Sequence, residues 1–284
     1  MHVILMLLSL AAAWMGRMYT VQGAWQGRWS RTRNQFLLPP CTLLTTAVAI
    51  LWMGPEGTTL GPWDGWLTYG LAGLFLLWVG AVGLKLAWAV LSVRRQMATY
   101  PPVMVLDNPG RLLDSPHPFI AQVGFWRPQL LVSRGLLATL SPQHLEAVLA
   151  HEAAHDHYHD TFWFFWLGWM ARATGWLPNS ALLWRELLAL RELRADRWAT
   201  ARVEPLLLAE ALVQLSGAAH HLDQEYLCAS VVSSPHYLVE RVEVLLQQPA
   251  PPAPDPCVSW FWLLLPLVPL GMVPFHTHLC LLFC

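Results

Sequence analysis

Apolar and polar positions divide the chain into blocks. Three apolar runs come first, at residues 1–16, 36–53 and 66–93, the last carrying a single charge, Lys85. A bilayer-spanning helix needs about 20 apolar residues, and longer runs can tilt. The second and third runs meet that requirement. The first is short, but no Lys or Arg precedes its apolar residues as a secretory signal would require. A membrane helix is therefore expected there in preference to a signal peptide. A final apolar run, 258–284, is interrupted by Pro266, Pro269 and Pro274 and is expected to be a fourth span. The Pro-rich stretch before it, 249–257, reads as a stiff, extended linker.

Residues 96–248 are the most polar part. Short β-like runs at Val103–Leu106, Phe119–Val123 and Gln129–Val132 are separated by Asn108-Pro109-Gly110, Ser115-Pro116 and Arg127-Pro128, as expected between strands. Helical patterns follow. Ser141 before Pro142 is an N-cap followed by proline at the first helical position, and that helix should run to about His157. Residues 161–176 are apolar almost all round and, at that length, predict a helix buried in the domain or lying in the membrane interface. A further helix is expected from Pro178 to near Arg202, carrying Glu186, Glu192 and Asp196. Residues 203–218 and 236–247 also read as helical.

Composition narrows the class. Of 284 residues, 55% are hydrophobic and only 12% charged, about half the charge of an ordinary soluble domain. The 17 Trp fit a protein with much interface surface. A net charge of −1 gives no basic field, so no nucleic-acid partner is expected. Arg17, Arg28, Arg31 and Arg33 follow the first run, no basic residue lies in 54–65, and Arg94-Arg95 close the third run. The positive-inside rule then puts the first loop and everything after residue 93 in the cytoplasm. The expected organisation is three transmembrane helices with a basic cytoplasmic loop (1–95), a cytoplasmic domain (96–248), the linker and a fourth transmembrane segment. This describes an integral membrane protein in contact with lipid.

Within the polar block, His151-Glu152-Ala153-Ala154-His155 carries the strongest chemical signal. On a helix, positions i and i+4 share a face, so both imidazoles can reach one metal. This is the HExxH pattern of zinc peptidases, with Glu152 as the catalytic base. From 12 His and 10 Glu in this length, roughly 0.02 such matches arise by chance. A catalytic zinc needs a third protein ligand and an open position. Glu192, on a later helix, is the best candidate. Asp196, one turn on, shares its face and can accept the second ring N–H of a zinc-bound histidine. His159 continues the four-residue spacing but lies one turn too far along, and His157 points elsewhere. Asp160 is expected to cap or brace the loop after this helix.

The segment SPQHLEAVLAHEAAHDHYHD resembles the HExxHxxxxD segment of integral-membrane zinc peptidases of the beta-lactam-sensor (BlaR/MecR) type, with HtpX and CAAX prenyl protease types as cousins. HPFIAQVGFWRPQLLVSRGLL upstream is similar to that family's strand pair. Trp176-Leu177-Pro178-Asn179 and residues 191–196 are similar to its third-ligand helix. Residues 233–242 resemble a Pro…Arg-Val/Ile element of the HtpX type, although Ser234 stands where that type has His before the Pro. The resemblance covers about residues 100–245 and the arrangement of spans. It implies a helical membrane protein with a small α+β gluzincin-like metallopeptidase domain. It also implies Zn2+ on His151, His155 and Glu192, Glu152 as base and Asp196 behind a ligand. His236, Tyr237 and Arg241 are three donors any one of which can serve the oxyanion. Nothing resembling a penicillin-binding sensor domain follows the last span, so beta-lactam sensing is not expected. The expected activity is cleavage of cytoplasmic or juxtamembrane protein or peptide substrates in regulated proteolysis or signalling, with a separate sensor or regulator protein as partner. The alternatives are membrane quality control of the HtpX type, or an inactive protease-like scaffold.

Overall fold

The computed structural model describes residues 2–18, 27–55, 62–218, 235–247 and 260–274; within these, the side chains of 62, 216–218, 235–237 and 260–263 fall outside the description. The chain divides into two compact units, one of residues 1–85, 167–187 and 253–284, the other of residues 86–166 and 188–252.

In the first unit, the three opening apolar runs form α1 (His2–Met18), α2 (Arg28–Met53) and α3 (Pro62–Thr99), which extends past residue 85. Two of these, α2 and α3, are long and apolar enough to cross a membrane. The first is a shorter apolar helix. Of the predicted basic loop, residues 17–18 close α1 and 28–35 open α2, so Arg17, Arg28, Arg31 and Arg33 are helical, while residues 19–26 lie outside the described residues. Helices α1 and α2 pack through Leu10, Ala13 and Leu43 and through Met6, Ala47 and Ile50. Thr46 donates to Ser9 at 2.7 Å, a small polar pair that lets two helices approach closely. Pro39 and Pro40 lie inside α2. Proline has no N–H, so Pro40 leaves the carbonyl of Phe36 without its helical donor. Fully buried Arg17 supplies one, donating from Nη2 to Phe36 O at 2.8 Å.

The second unit holds the sheet. Strands β1 (Pro102–Val105), β2 (Asn108–Leu113), β3 (Ile120–Val123) and β4 (Gln129–Ser133) lie in the order β1-β2-β4-β3. β2 runs parallel to β4, and the other pairs are antiparallel. Strand β2 replaces the predicted turn at Asn108–Gly110. The reversal falls two residues earlier, where Leu106 and Asp107 both take positive φ (44° and 65°), as a tight hairpin turn requires. Pro109 faces β1 just before the β2–β4 pairing begins at Gly110, so its missing N–H breaks no bond there. Gly110 permits that pairing: a Cβ on it would lie 2.9 Å from the backbone oxygen of Leu130.

After the short α4 (Arg134–Thr139), the helix α5 (Pro142–His157) begins where the sequence predicts, its Ser141 cap accepting from His144 N–H. Leu145, Val148 and Leu149 of α5 pack with Val105, Leu130 and Val132 of the sheet and with Leu136, Leu140 and Ala211. This core fixes the roll of α5 and with it the direction of His151 and His155, three and seven residues after Val148 and so on the flank that Val148 begins. Then come α6 (Asp160–Ala173), α7 (Ser180–Ala199), α8 (Pro205–Ala218) and α9 (Pro235–Leu246). Helix α7 starts two residues later than predicted, after Asn179 in the left-handed region (φ 54°).

The predicted linker 249–257 lies outside the described residues. Of the predicted fourth span, residues 260–271 form a 3-10 helix (Trp260–Leu267) and a short α10 (Val268–Gly271). Residues 258–259 and 275–284 lie outside the described residues.

Candidate metal centre

Helices α5, α7 and α9 each bring charged or coordinating side chains to one buried point of the second unit. His151 and His155 sit one turn apart on α5, with Nε2 atoms 3.2 Å apart. From α7, Glu192 places Oε2 3.3 Å from His151 Nε2 and Oε1 3.8 Å from His155 Nε2. The donor atoms of the three residues all lie within 4.8 Å of one another. Ligand atoms about 2.1 Å from a tetrahedral ion are about 3.4 Å from each other. The observed spacings bracket that value, so this His-His-Glu group can hold a metal ion.

Outer contacts fix each donor. His151 Nδ1 lies 2.8 Å from Asp196 Oδ1, in an approach bent away from the ring N–H direction. His155 Nδ1 is 2.8 Å from Asp160 Oδ2. Asp160, the first residue of α6, is itself bonded by Arg194, whose guanidinium lies 4.1 Å from the centre of the Tyr158 ring. Arg191 donates twice to Glu192 Oε1, at 3.0 and 2.7 Å. Arg241, from α9, donates through Nε and Nη2 to the two oxygens of Asp196, both at 2.7 Å. Its Nη1 lies 3.4 Å from Glu192 Oε2.

Glu152, buried beside these groups, accepts from the backbone N–H of Gln122 on β3 at 3.0 Å. In β3, alternate residues turn their backbone groups to opposite sides. Phe119 bonds Ser133 across to β4, which puts the Gln122 N–H on the outer edge of the sheet. The Glu152 carboxylate is thereby pinned to the outer edge of β3, the last strand of the sheet among the described residues.

These contacts set the charge state. Burial disfavours a charged imidazole at His151, but the carboxylates of Asp196 and Glu192 outweigh it, and its pKa is pushed up to about 9. Burial also works against ionised Glu192, yet Arg191, the two histidines and Arg241 hold its pKa well below the usual carboxylate range. Asp196 is held low in the same way by Arg241 and His151. The arrangement is a buried cluster of alternating charge.

Two sequence expectations change. Asp160 does more than brace a loop, because it orients His155. Arg241, one of three expected oxyanion donors, has its nitrogens turned to Asp196 and Glu192. The other two, His236 and Tyr237, lie in the first turn of α9, with side chains outside the described residues. His159 stands apart: the helix has ended, and His159 is exposed with φ 53°. His157 packs against Tyr158 and Trp198. Sequence reasoning did not assign Arg191 or Gln122 to the site; Arg191 adjoins Glu192, whereas nothing local marks Gln122.

No protein-family model matches the chain, and no solved structure matches it.

Proposed function

We propose that this protein is an integral-membrane zinc endopeptidase that hydrolyses peptide bonds of cytoplasmic or juxtamembrane proteins, in regulated proteolysis or signalling. The observation that carries this reading is the convergence of His151, His155 and Glu192 within bonding distance of one ion, with the Glu152 carboxylate next to them. The resemblance of residues 100–245 to membrane zinc peptidases of the BlaR/MecR type points the same way.

His151, His155 and Glu192 would hold the zinc. Bound there, it supplies Lewis acidity that activates water and polarises a carbonyl near neutral pH. Glu152 takes the proton from the attacking water and returns it to the leaving amine. The Gln122 N–H holds one of its oxygens and leaves the other for that proton. Asp196 and Asp160 keep the Nδ1 side of each histidine occupied, which leaves Nε2 as the atom that would bind the metal. Arg241 holds Asp196 and Glu192 in register. A peptide adding as a strand to the outer edge of β3 brings its backbone past Glu152. Glu152 is present and buried at its post, which favours an active enzyme over a scaffold.

The arginine bias of the loops supports a cytoplasmic site, and a separate sensor or regulator would deliver the signal. Substrate trapping tests the reading. Glu152→Gln protein, crosslinked in cells, should retain cytoplasmic or juxtamembrane proteins that wild type cleaves. Retention of only extracellular proteins would contradict it.

A further inference from the structure

Glu192 presents its carboxylate broadside to the two histidines. Oε2 lies 3.3 Å from His151 Nε2, and Oε1 lies 3.8 Å from His155 Nε2. Such a pose lets one ion take either oxygen or both, as carboxylates do. The choice matters, because a catalytic zinc site keeps one position open beside three protein donors. A carboxylate binding through both oxygens adds a donor and crowds that position.

The two oxygens have different neighbours. Arg191 donates to Oε1 twice, from Nε at 3.0 Å and from Nη2 at 2.7 Å. An ionised carboxylate has about four lone-pair sites, so two N–H groups on one oxygen occupy both of its pairs. Oε2 is approached less closely. Arg241 Nη1 lies 3.4 Å away, beyond the usual hydrogen-bond range, and Arg241 commits Nε and Nη2 to Asp196.

The pose of Arg191 is not a by-product of its place in the chain. Consecutive residues of a helix do not face each other, yet the Arg191 guanidinium returns to its neighbour. It is buried, and it lies 4.8 Å from the centre of the Phe164 ring. Phe164 stands one turn after Asp160 on α6, so the two share a face. One face of α6 therefore orients His155 through Asp160 and packs Arg191 through Phe164.

We propose that Arg191 is a positioning residue that reserves Glu192 Oε2 for the metal, so that Glu192 binds through one oxygen and a position stays open for the attacking water. The proposal rests on the reading of His151, His155 and Glu192 as metal ligands and goes beyond it in assigning how the third ligand binds.

Cobalt(II) loaded in place of zinc into the purified full chain tests this. Its visible d–d bands are intense in a four-coordinate site and weak in a five-coordinate one. Wild type should show the intense bands. Arg191→Met removes both donors and frees Oε1, so at equal cobalt content the bands should lose most of their intensity. Arg191→Lys keeps the buried charge but not the planar fork, and should change in the same direction. It guards against a methionine variant that fails to fold. Intense bands in either folded, fully loaded variant overturn the proposal, as do weak bands in wild type. Folded variants that lose cobalt altogether make Arg191 a support for affinity alone and also overturn it. In these outcomes the metal reading stands, because wild type binds cobalt. Wild type that takes up no cobalt overturns that reading and the proposal together.

Discussion

Asp196 Oδ1 lies 2.8 Å from His151 Nδ1, while Arg241 bonds both oxygens of the same carboxylate at 2.7 Å. One residue thus joins the inner donors to a buried cation on a helix 45 residues away. Asp196→Asn keeps the shape but weakens the hold on His151, and zinc affinity should fall about 10–100-fold. Arg241→Met should instead destabilise the fold by about 3–5 kcal/mol, because it leaves buried Asp196 and Glu192 uncompensated. Zinc competition titration and chemical denaturation separate the two effects.

The state of His151 gives a pH signature. Its pKa is raised from 6.5 to about 9 in the metal-free protein. The protonated ring therefore stabilises that form below about pH 6.5, and the contribution is lost as pH rises through about 9. Zinc binds the neutral imidazole and must displace this proton. Apparent zinc affinity should rise about tenfold per pH unit between about 7 and 9 and then level off. Calorimetry in buffers of different ionisation enthalpy should detect about one proton released near pH 7.5. A flat profile would show His151 to be neutral before the metal arrives.

Ligand identity separates Glu192 from His159. Glu192→Ala should reduce zinc content sharply, and His159→Ala should leave it unchanged, since His159 is exposed beyond the end of α5. Metal analysis of the purified variants checks both. Equal zinc in wild type and Glu192→Ala would move the third ligand elsewhere.

Much of this candidate site is legible because His151, Glu152 and His155 are local to one helix. Ser141, Pro142 and the five residues 151–155 specify a helix, its start and the face it offers. The remaining parts are long-range. Glu192 and Asp196 can be nominated from their shared helical face, but the sequence leaves Arg241 as one of three candidate oxyanion donors, because its partners lie 45 and 49 residues away. Asp160 is marked in the sequence only by its place, the fifth after His155, in the HExxHxxxxD resemblance. Its contact depends on the left-handed turn at His159, which turns the chain back toward α5. Strand β2 was hidden because Asn108-Pro109-Gly110 has turn composition. Only the β2–β4 pairing shows that Gly110 serves close approach.

The proposed orientation is tested through the arginine bias of the loops. Reporter fusions near residue 60 should report the outside, and fusions near residues 100 and 225 the cytoplasm. An external signal at residue 225 would reverse the substrate compartment.

The most direct measurement pairs zinc content with peptide-bond cleavage for wild type and Glu152→Gln in one preparation. Glutamine keeps the side-chain volume and can still accept from the Gln122 N–H, but it cannot carry the proton. The account predicts about one zinc per chain in both proteins and cleavage only in wild type. Cleavage by Glu152→Gln at the wild-type rate would contradict it.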